Sequence, residues 1–237
     1  MLCHKTPPHR PGLADVDTWV LDLDDTLYPP SNGLAAQLTA GIRGYLIEYF
    51  GTDEAGARRI QAELVASHGT TLRGLMTTEG VQADDYLRFE RRLDYSVLRP
   101  DTVLAEAIKA LPGRKFVFTN GSAYHVEQAL PRLGLAGLFD GHFDIVTGGL
   151  TPKPYRESYD RFVERFAIEP ATTAFFDDRA VNLTVPEELG MATVLVGGEA
   201  EPGTAQYQVL APRRWRVWDL PAFLHSLTAP AVRPSTM

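Results

Sequence analysis

The segment WVLDLDDTLY, residues 19–28, is an apolar run that ends abruptly in acidic residues. Successive side chains of a strand point to opposite faces, so Asp22 and Asp24 would leave the end of this strand on the same side. Two adjacent carboxylates repel each other unless a cation or a shared proton neutralises them. Hard oxygen donors, with no cysteine or histidine cluster nearby, favour Mg2+ over zinc. The segment therefore predicts a strand that delivers two acids to a magnesium site.

A second interpretation of the same segment needs no ligand. Asp and Thr are common at strand ends and at the first position of helices, so these acids could simply cap the following helix. The D-x-D-x-T pattern is too short to separate the two interpretations. The choice depends on what the other strands carry at their ends.

The composition is that of an ordinary globular protein. The 237 residues are 44% hydrophobic and carry a formal net charge of -7, with the basic residues scattered along the chain. A nucleic-acid scaffold would cluster its basic residues on one face, so we expect a small-molecule ligand and no nucleic acid. No segment is apolar for long enough to be a signal peptide or a membrane span, and Cys3 is the single cysteine. We expect a cytoplasmic protein with no membrane partner, and the oligomeric state stays open.

Hydrophobic spacing divides the chain into two kinds of segment. Residues 31–99 show helical spacing with no convincing strand, whereas helix and strand alternate after residue 100, as in a parallel sheet with crossover helices. We predict an α/β fold, with a Rossmann-like three-layer parallel-sheet core at residues 16–30 and 100–227 and an inserted all-helical cap domain at residues 31–99. The termini, residues 1–15 and 228–237, are expected to be loose.

Individual elements follow from the same patterns. Strands are predicted at residues 18–22, 115–119, 144–146, 174–177 and 192–196, with one more near Trp215. Helices are predicted from Leu34 onward and at residues 53–67, 83–93, 102–110, 124–133, 155–166 and 181–189, with a last one ending near Leu227. Trp215 and Trp218 are expected to pack rather than to bind a ligand.

Polar residues follow four of the predicted strands. Ligands of open parallel sheets bind at the carboxyl ends of the strands, so these residues are expected to meet at one edge. Together they supply acids, a hydroxyl, an amide and one cation, which is the set that phosphoryl transfer needs. The residues are Asp22 and Asp24, then Thr119 and Asn120, then Lys153, and finally Asp177 and Asp178.

A role follows for each group from the needs of phosphoryl transfer. Mg2+ would be held by Asp22, the main-chain carbonyl of Asp24, and Asp177. Asp22 would attack phosphorus to form an aspartyl-phosphate, while Asp24 would protonate the leaving oxygen and later activate water. Thr119, backbone N–H groups near Asn120 and the Lys153 ammonium would hold the phosphate oxygens.

Asp178 and Thr26 adjoin these positions, and we expect them to contact the ligand residues rather than the ion or the phosphate. The roles of His125 and Arg179 stay open. For His125, close to the start of a predicted helix, a surface or packing role is favoured.

The motifs Asp22-Leu23-Asp24-Asp25-Thr26, Thr119-Asn120, Lys153 and Asp177-Asp178 resemble those of the haloacid-dehalogenase-like hydrolases, in the order of that superfamily. The resemblance spans about residues 17–227 and implies a Mg2+-dependent phosphomonoester hydrolase. The helical insertion looks like the cap of the subfamily that carries its cap at this position.

Finer features, DDTLYP at residues 24–29, HGTTLRG at 68–74 and FDDRAVN at 176–182, look like the pyrimidine 5'-nucleotidase branch. That resemblance implies UMP or CMP as substrate, and we expect a small phosphorylated metabolite of this kind as the partner. Residues Thr70, Thr71 and Arg73 lie in a stretch that suits a loop facing the site, so they are candidates for contacting the substrate. Alternatively, either threonine could cap a short helix or turn that leaves Arg73 exposed to solvent.

Three alternatives remain. Dehalogenases resemble this chain in the first Asp but lack the second carboxylate that Asp24 supplies. A sugar-phosphate phosphatase or a phosphomutase would share the core chemistry, because cap residues choose the substrate. A phosphoryl-accepting binding module also combines acids, a Thr and a Lys, although the order of the groups differs and such a module has no helical insertion.

Overall fold

The computed structural model describes residues 13–198 and 205–228. Its strands are β1 (Thr18–Leu21), β2 (Arg114–Phe118), β3 (Gly141–Phe143), β4 (Thr173–Asp177), β5 (Ala192–Val196), β6 (Tyr207–Ala211) and β7 (Arg214–Val217). They form one seven-stranded sheet in the order β3-β2-β1-β4-β5-β7-β6, in which only the β6–β7 pair is antiparallel. The predicted α/β fold with a parallel sheet is confirmed.

The helices flank this sheet or fill the insertion after β1. They are α1 (Leu34–Phe50), α2 (Glu54–His68), α3 (Thr71–Glu79), α4 (Ala83–Leu87), α5 (Thr102–Ala110), α6 (Ala123–Arg132), α7 (Arg156–Phe166), α8 (Thr184–Glu188) and α9 (Leu220–Thr228). No helix within the described part of the chain is both long and apolar enough to cross a membrane.

Alternate residues of the central strands enter two different hydrophobic clusters. In β1, Trp19 and Leu21 belong to one cluster, whereas Val20 between them belongs to the other. In β4, Phe175 and Phe176 divide between the clusters in the same way. Side chains alternate along a strand, so the sheet is covered on both faces and forms the middle of three layers.

The insertion after β1, residues 31–99 and hereafter the cap segment, packs around a third hydrophobic cluster. Leu46, Leu64 and Leu75 are buried there, and Ile145 joins them from the loop after β3. Near the ends of the cap segment, Leu34, Tyr95 and Leu98 pack instead with the main core. The division into a core and a cap at residues 31 and 99 stays a prediction, and the two parts share side chains at their boundary.

The prediction for the third strand was wrong in position. A strand was expected at residues 144–146, but β3 ends at Phe143. The Asp144 carboxylate accepts hydrogen bonds from the backbone N–H groups of Val146, at 2.9 Å, and Thr147, at 3.3 Å, and so closes a turn. An Asp side chain that hydrogen-bonds the backbone of the residues that follow it competes with strand pairing.

Strand β6 was not predicted at all, because it is largely exposed and shows no alternating pattern.

Three cap and core helices also differ from the predictions. Residues 70–74 begin α3, with Thr70 as the N-cap that accepts from the N–H of Arg73. The expectation that one of the two threonines caps a short helix is confirmed, whereas the loop interpretation of this stretch was wrong. The helix expected at residues 83–93 is α4 followed by a 3-10 turn, and that expected at residues 181–189 is a 3-10 turn followed by α8.

The expectations for the termini are only partly testable. Residues 1–12 and 229–237 lie outside the described residues. Leu13 is buried in the main core, so the expectation of a loose arm up to residue 15 was wrong at this position. Trp215 is buried in the same core, in line with its predicted packing role.

Candidate active site

The sheet order places the three acid- and hydroxyl-bearing strands side by side. β1 lies between β2 and β4, so Asp22, Thr119 and Asp177 come to the same edge. The N–H of Asp22 donates to the carbonyl of Phe176 at 2.9 Å, which continues the sheet to its last residue. The predicted meeting of these residues at the carboxyl edge is therefore present in the structure.

Lys153 is buried between two of the acids. Its Nζ lies 2.8 Å from Oδ1 of Asp22 and 2.6 Å from Oδ2 of Asp177, and it donates to the carbonyl of Phe118 at 2.9 Å. Burial alone would lower the pKa of Lys153, but the two carboxylates outweigh it and raise that pKa. The lysine is thus a fixed cation inside the acidic cluster.

Asn120 holds this lysine in place. Its Oδ1 accepts from the N–H of Lys153 at 2.8 Å, and its Nδ2 donates to the Lys153 carbonyl at 3.1 Å. Because both polar atoms of the Asn120 amide are occupied, only the backbone N–H groups near Asn120 can make the predicted contact to phosphate. Thr119 is buried, and its hydroxyl oxygen accepts from the N–H of Gly121 at 2.9 Å.

The acid cluster has a composition that differs from the prediction. Asp22, Asp177 and Asp178 each place one carboxylate oxygen within 4.8 Å of the others. The side chain of Asp24 is not in this group, in line with the prediction that only its main-chain carbonyl would bind the ion. Asp178, expected behind the ligands, lies among them, and burial together with Asp177 raises its pKa to about 6.

The donor set fits Mg2+. The cluster holds three carboxylates and one lysine, which pairs with Asp22 and Asp177, so it keeps an excess of negative charge and offers only hard oxygen atoms. Burial is also the main reason why the pKa of Asp22 is raised well above its ordinary value, against the opposing effect of Lys153. A divalent cation would offset the repulsion between these carboxylates.

Thr26 is buried and its hydroxyl makes no hydrogen bond to the described residues, so its predicted support of the ligands is absent.

Asp24 has a separate set of partners. Its Oδ1 lies 2.8 Å from Nε2 of His125 and also accepts a hydrogen bond from the Tyr28 hydroxyl. Burial would raise the pKa of Asp24, but the His125 ring and the Tyr28 hydroxyl outweigh it and hold that pKa below its ordinary value. The two acids two residues apart therefore have opposite pKa shifts.

His125 is buried, so the surface half of its expected surface or packing role is wrong. Its side chain is fully buried, and Nδ1 lies 2.8 Å from the Tyr95 hydroxyl while Nε2 faces Asp24. The signal in the sequence was its place in the first turn of the helix that follows the Thr119-Asn120 motif. Such a position points back towards the edge of the sheet.

A cavity of about 360 Å³ lies between this edge and the cap segment. From the core it is lined by Asp24, Asp25, Asn120, Gly121, Ile145 and Arg179, and from the cap segment mainly by Leu38, Ile42, Gln61, Val65, Thr70, Thr71, Leu72, Phe89 and Glu90. The predicted cap residues Thr70 and Thr71 are therefore next to the acids.

Arg73 does not line the cavity. Its guanidinium lies 3.9 Å from the centre of the Tyr155 ring, where it joins the cap segment to the loop before α7. The prediction of a substrate contact by Arg73 is not supported by its position.

Glu90 is a cavity residue that sequence reasoning missed. It is buried, and its carboxylate accepts hydrogen bonds from the N–H of Ser122, at 3.3 Å, and from the Ser122 hydroxyl. Burial raises the pKa of Glu90 above its ordinary value, with the Ser122 hydroxyl acting against it. The sequence around Glu90 does not indicate this contact, because Ser122 lies in the core, 32 positions further along the chain.

This fold and site define an α/β enzyme with clustered carboxylates and one buried lysine at the carboxyl edge of a parallel sheet. The sequence profile of the haloacid dehalogenase-like hydrolases matches residues 16–190, and the chain belongs to this family.

Two proteins of known name are similar to this chain in sequence. The chain is 25% identical over 215 residues to Phosphate metabolism protein 8 of Saccharomyces cerevisiae, covering 78% of this chain and 64% of that protein. It is 36% identical over 92 residues to Enolase-phosphatase E1 of Frankia alni, covering 38% of each. The chain therefore spans less than two thirds of the length of these relatives. Neither name specifies a pyrimidine nucleotide.

The HAD-hydrolase YfnB from Bacillus subtilis, solved bound to magnesium, superposes with a TM-score of 0.54 at 19% identity, covering 90% of this chain and 99% of that one. At this identity the likeness shows the fold alone.

Proposed function

We propose that this protein hydrolyses phosphate monoesters with Mg2+ through an aspartyl-phosphate formed on Asp22. The observation that carries the proposal is the buried Asp22–Lys153–Asp177 cluster, with Asp24 beside it at a cavity. The names of the relatives, a phosphate metabolism protein and an enolase-phosphatase, favour phosphate over halogen chemistry.

The carboxylates of Asp22, Asp177 and Asp178 and the main-chain carbonyl of Asp24 would hold Mg2+, which supplies charge neutralisation for the phosphoryl group. Lys153 contacts Oδ1 of Asp22, whereas Oδ2 of Asp22 has no hydrogen-bond partner among the described residues. Oδ2 is thus the oxygen that forms the new bond to phosphorus while the bond from phosphorus to the ester oxygen breaks.

Asp24 acts on both halves of this reaction. In the first half its carboxyl group gives a proton to the departing alkoxide, which leaves as an alcohol. In the second half the Asp24 carboxylate takes a proton from water as that water attacks phosphorus and displaces the Asp22 carboxylate. The products are the free enzyme and inorganic phosphate. Thr119 and the backbone near Asn120 hold the phosphate oxygens throughout. Lys153, whose three N–H groups face Asp22, Asp177 and the Phe118 carbonyl, supplies positive charge beside them.

The proposed substrates are pyrimidine nucleoside 5'-monophosphates, UMP or CMP. The motif resemblance supports this choice, and the cavity lining is compatible with it. Apolar side chains such as Leu38, Ile42 and Phe89 suit a flat base, whereas Gln61 and Thr70 can hydrogen-bond a base edge or a ribose hydroxyl.

The test is a substrate panel with purified protein, measured as inorganic phosphate release with and without Mg2+. UMP and CMP are expected to show the highest kcat/KM, ahead of AMP, hexose phosphates and 2-haloacids. A preference for a hexose phosphate would replace the nucleotide assignment by the sugar-phosphate alternative. Halide release from a 2-haloacid without phosphatase activity, or a stable phosphoprotein without turnover, would overturn the phosphatase proposal itself.

A further inference from the structure

A buried chain of hydrogen-bonded side chains starts at Asp24 and runs through His125 to Tyr95. Oδ1 of Asp24 meets Nε2 of His125 at 2.8 Å, and Nδ1 of the same ring meets the Tyr95 hydroxyl at 2.8 Å. The His125 side chain is fully buried and Tyr95 is also buried. The imidazole is therefore held at both nitrogens and has little freedom to rotate.

The backbone of His125 is fixed as well. Ser122 is the N-cap of α6, and its hydroxyl oxygen accepts from the N–H of His125 at 3.3 Å. Glu90 of the cap segment accepts in turn from the hydroxyl and the N–H of Ser122. The helix turn that carries His125 is thus clamped between the core and the cap segment.

The donors to Asp24 are arranged asymmetrically. His125 and Tyr28 both contact Oδ1, and no side chain of the described residues bonds Oδ2. Two donors on one oxygen fix the rotamer of a carboxyl group and leave the other oxygen available. Asp24 also lines the cavity where a leaving group would lie.

We propose that His125, held by Tyr95, is a positioning residue that fixes the Asp24 carboxyl group for proton transfer to the leaving oxygen. This inference rests on the proposed function. A carboxyl group that protonates a leaving oxygen must stay within hydrogen-bond reach of it, and general acid catalysis contributes about 10²–10⁴-fold. Asp24 lines the cavity from the turn after β1, and His125, together with Tyr28, fixes its side chain.

Comparing esters whose leaving groups differ in basicity distinguishes this positioning role from a purely structural role of His125. An alkoxide leaving group needs its proton, whereas 2,4-dinitrophenolate departs without one. The experiment measures alcohol or phenol release in a single turnover with enzyme in excess, so that only the first half-reaction is observed. The esters are 2,4-dinitrophenyl phosphate and the alkyl phosphate that the wild-type enzyme turns over fastest.

His125→Ala should slow release from the alkyl ester by about 100-fold and release from the dinitrophenyl ester by less than about 5-fold. His125→Gln, which returns an N–H donor, should recover part of the alkyl-ester rate. Tyr95→Phe keeps the ring but removes the contact to Nδ1, and should show a smaller loss with the same selectivity. His142→Ala and Tyr124→Phe, a half-buried histidine and the tyrosine beside Tyr95, are the matched controls.

Both esters are compared on the same protein sample, so a partly unfolded variant lowers both rates equally and leaves their ratio unchanged. Equal losses on the two esters for His125→Ala and Tyr95→Phe, or no loss on either, would overturn the positioning role alone. Failure of the wild-type enzyme on both esters would overturn the proposed function and this inference with it.

Discussion

At the scale of single residues, the environment separates two acids that the sequence presents as a pair. Asp22 faces Lys153 and Asp177 in a buried cluster, whereas Asp24 faces His125 and Tyr28. Burial raises the pKa of Asp22, and its partners lower the pKa of Asp24. The two carboxyl groups therefore lie in different electrostatic environments although they leave the same strand.

Substituting each acid should stop the reaction at a different step. Asp22→Asn should form no covalent phosphoenzyme, because an amide cannot act as the nucleophile. Asp24→Asn should retain Mg2+ binding and lose at least about 100-fold in turnover of an alkyl ester, because leaving-group protonation and water activation are both impaired. Rapid-quench labelling with a radioactive phosphate ester measures the intermediate. Labelled Asp22→Asn protein would exclude Asp22 as the nucleophile.

Glu90 should make stability depend on pH in a defined direction. Its folded-state pKa lies above the ordinary value of 4.5, so the folded protein binds this proton more tightly than the unfolded chain does. The stability that Glu90 contributes is complete below the unfolded pKa and is lost as the pH rises through the folded pKa. Glu90→Gln cannot ionise, so its free energy of unfolding should rise relative to wild type across that window.

Urea unfolding at a series of pH values from acid to neutral measures this difference. Glu106→Gln, at an exposed position of α5, is the matched control and should leave the pH profile of wild type unchanged. A Glu90→Gln difference that is constant over the series would contradict the prediction.

At the scale of elements, α3 shows why a turn-like sequence can form a helix in a buried setting. Thr70 caps it, and Gly74 allows it to approach α2, because a Cβ at this position would lie 2.7 Å from the Leu64 side chain. Glycine costs a helix about 1 kcal/mol relative to alanine, but here it permits close packing. Gly44 in α1 has no such neighbour within 4 Å.

Two glycine substitutions should therefore have opposite effects on stability. Gly74→Ala should lower the free energy of unfolding by about 1–3 kcal/mol, because α2 or α3 must shift. Gly44→Ala should raise it by about 0.5–1 kcal/mol, because the helix gains propensity and the added methyl group meets open space. Chemical denaturation of both variants is the measurement, and a loss at both sites would refute the packing argument.

The same helix offers a test of where substrate selectivity lies. Thr71→Val should raise KM for UMP more than for p-nitrophenyl phosphate, because Thr71 lines the cavity where a nucleoside would bind. Arg73→Ala should change the two KM values by the same factor, because Arg73 stacks on Tyr155 instead. Steady-state kinetics with both esters decides this, and a selective effect at Arg73 would reverse the assignment.

At the scale of the whole molecule, one sheet brings together acids from distant parts of the chain. Asp22 follows β1, Asp177 ends β4 and Asp178 follows it, so this cluster of three acids forms only in the folded state. An ion that binds the folded state alone stabilises it, by about 2.7 kcal/mol at 100 times its dissociation constant. Folding and metal binding should therefore be coupled.

Thermal unfolding should show this coupling without any activity assay. Mg2+ should raise the Tm of the wild-type protein, and EDTA should remove both the increase and the phosphatase activity. Asp178→Asn should weaken the response, whereas Asp84→Asn, an acid in the first turn of α4, should leave it intact. The same Tm with Mg2+ and with EDTA would contradict the assignment of the cluster.

Several parts of this protein follow from the sequence because they depend on local patterns. β1, β2, β4 and β5 were predicted to within a residue at each end, since continuous apolar runs bounded by turns leave few alternatives. α5 was predicted at its observed bounds, because Asp101 caps it and its apolar residues keep helical spacing. The meeting of Asp22, Thr119, Lys153 and Asp177 followed from a general rule for parallel sheets.

The tertiary structure alone decided which groups touch. The contact between Asp24 and His125 joins residues 101 positions apart, and that between Glu90 and Ser122 joins residues 32 positions apart. No local pattern encodes such pairs, because each side chain alone is compatible with a surface position. The place of the Asp178 carboxylate in the acid cluster has the same origin, because neighbouring elements determine which carboxylates turn inward.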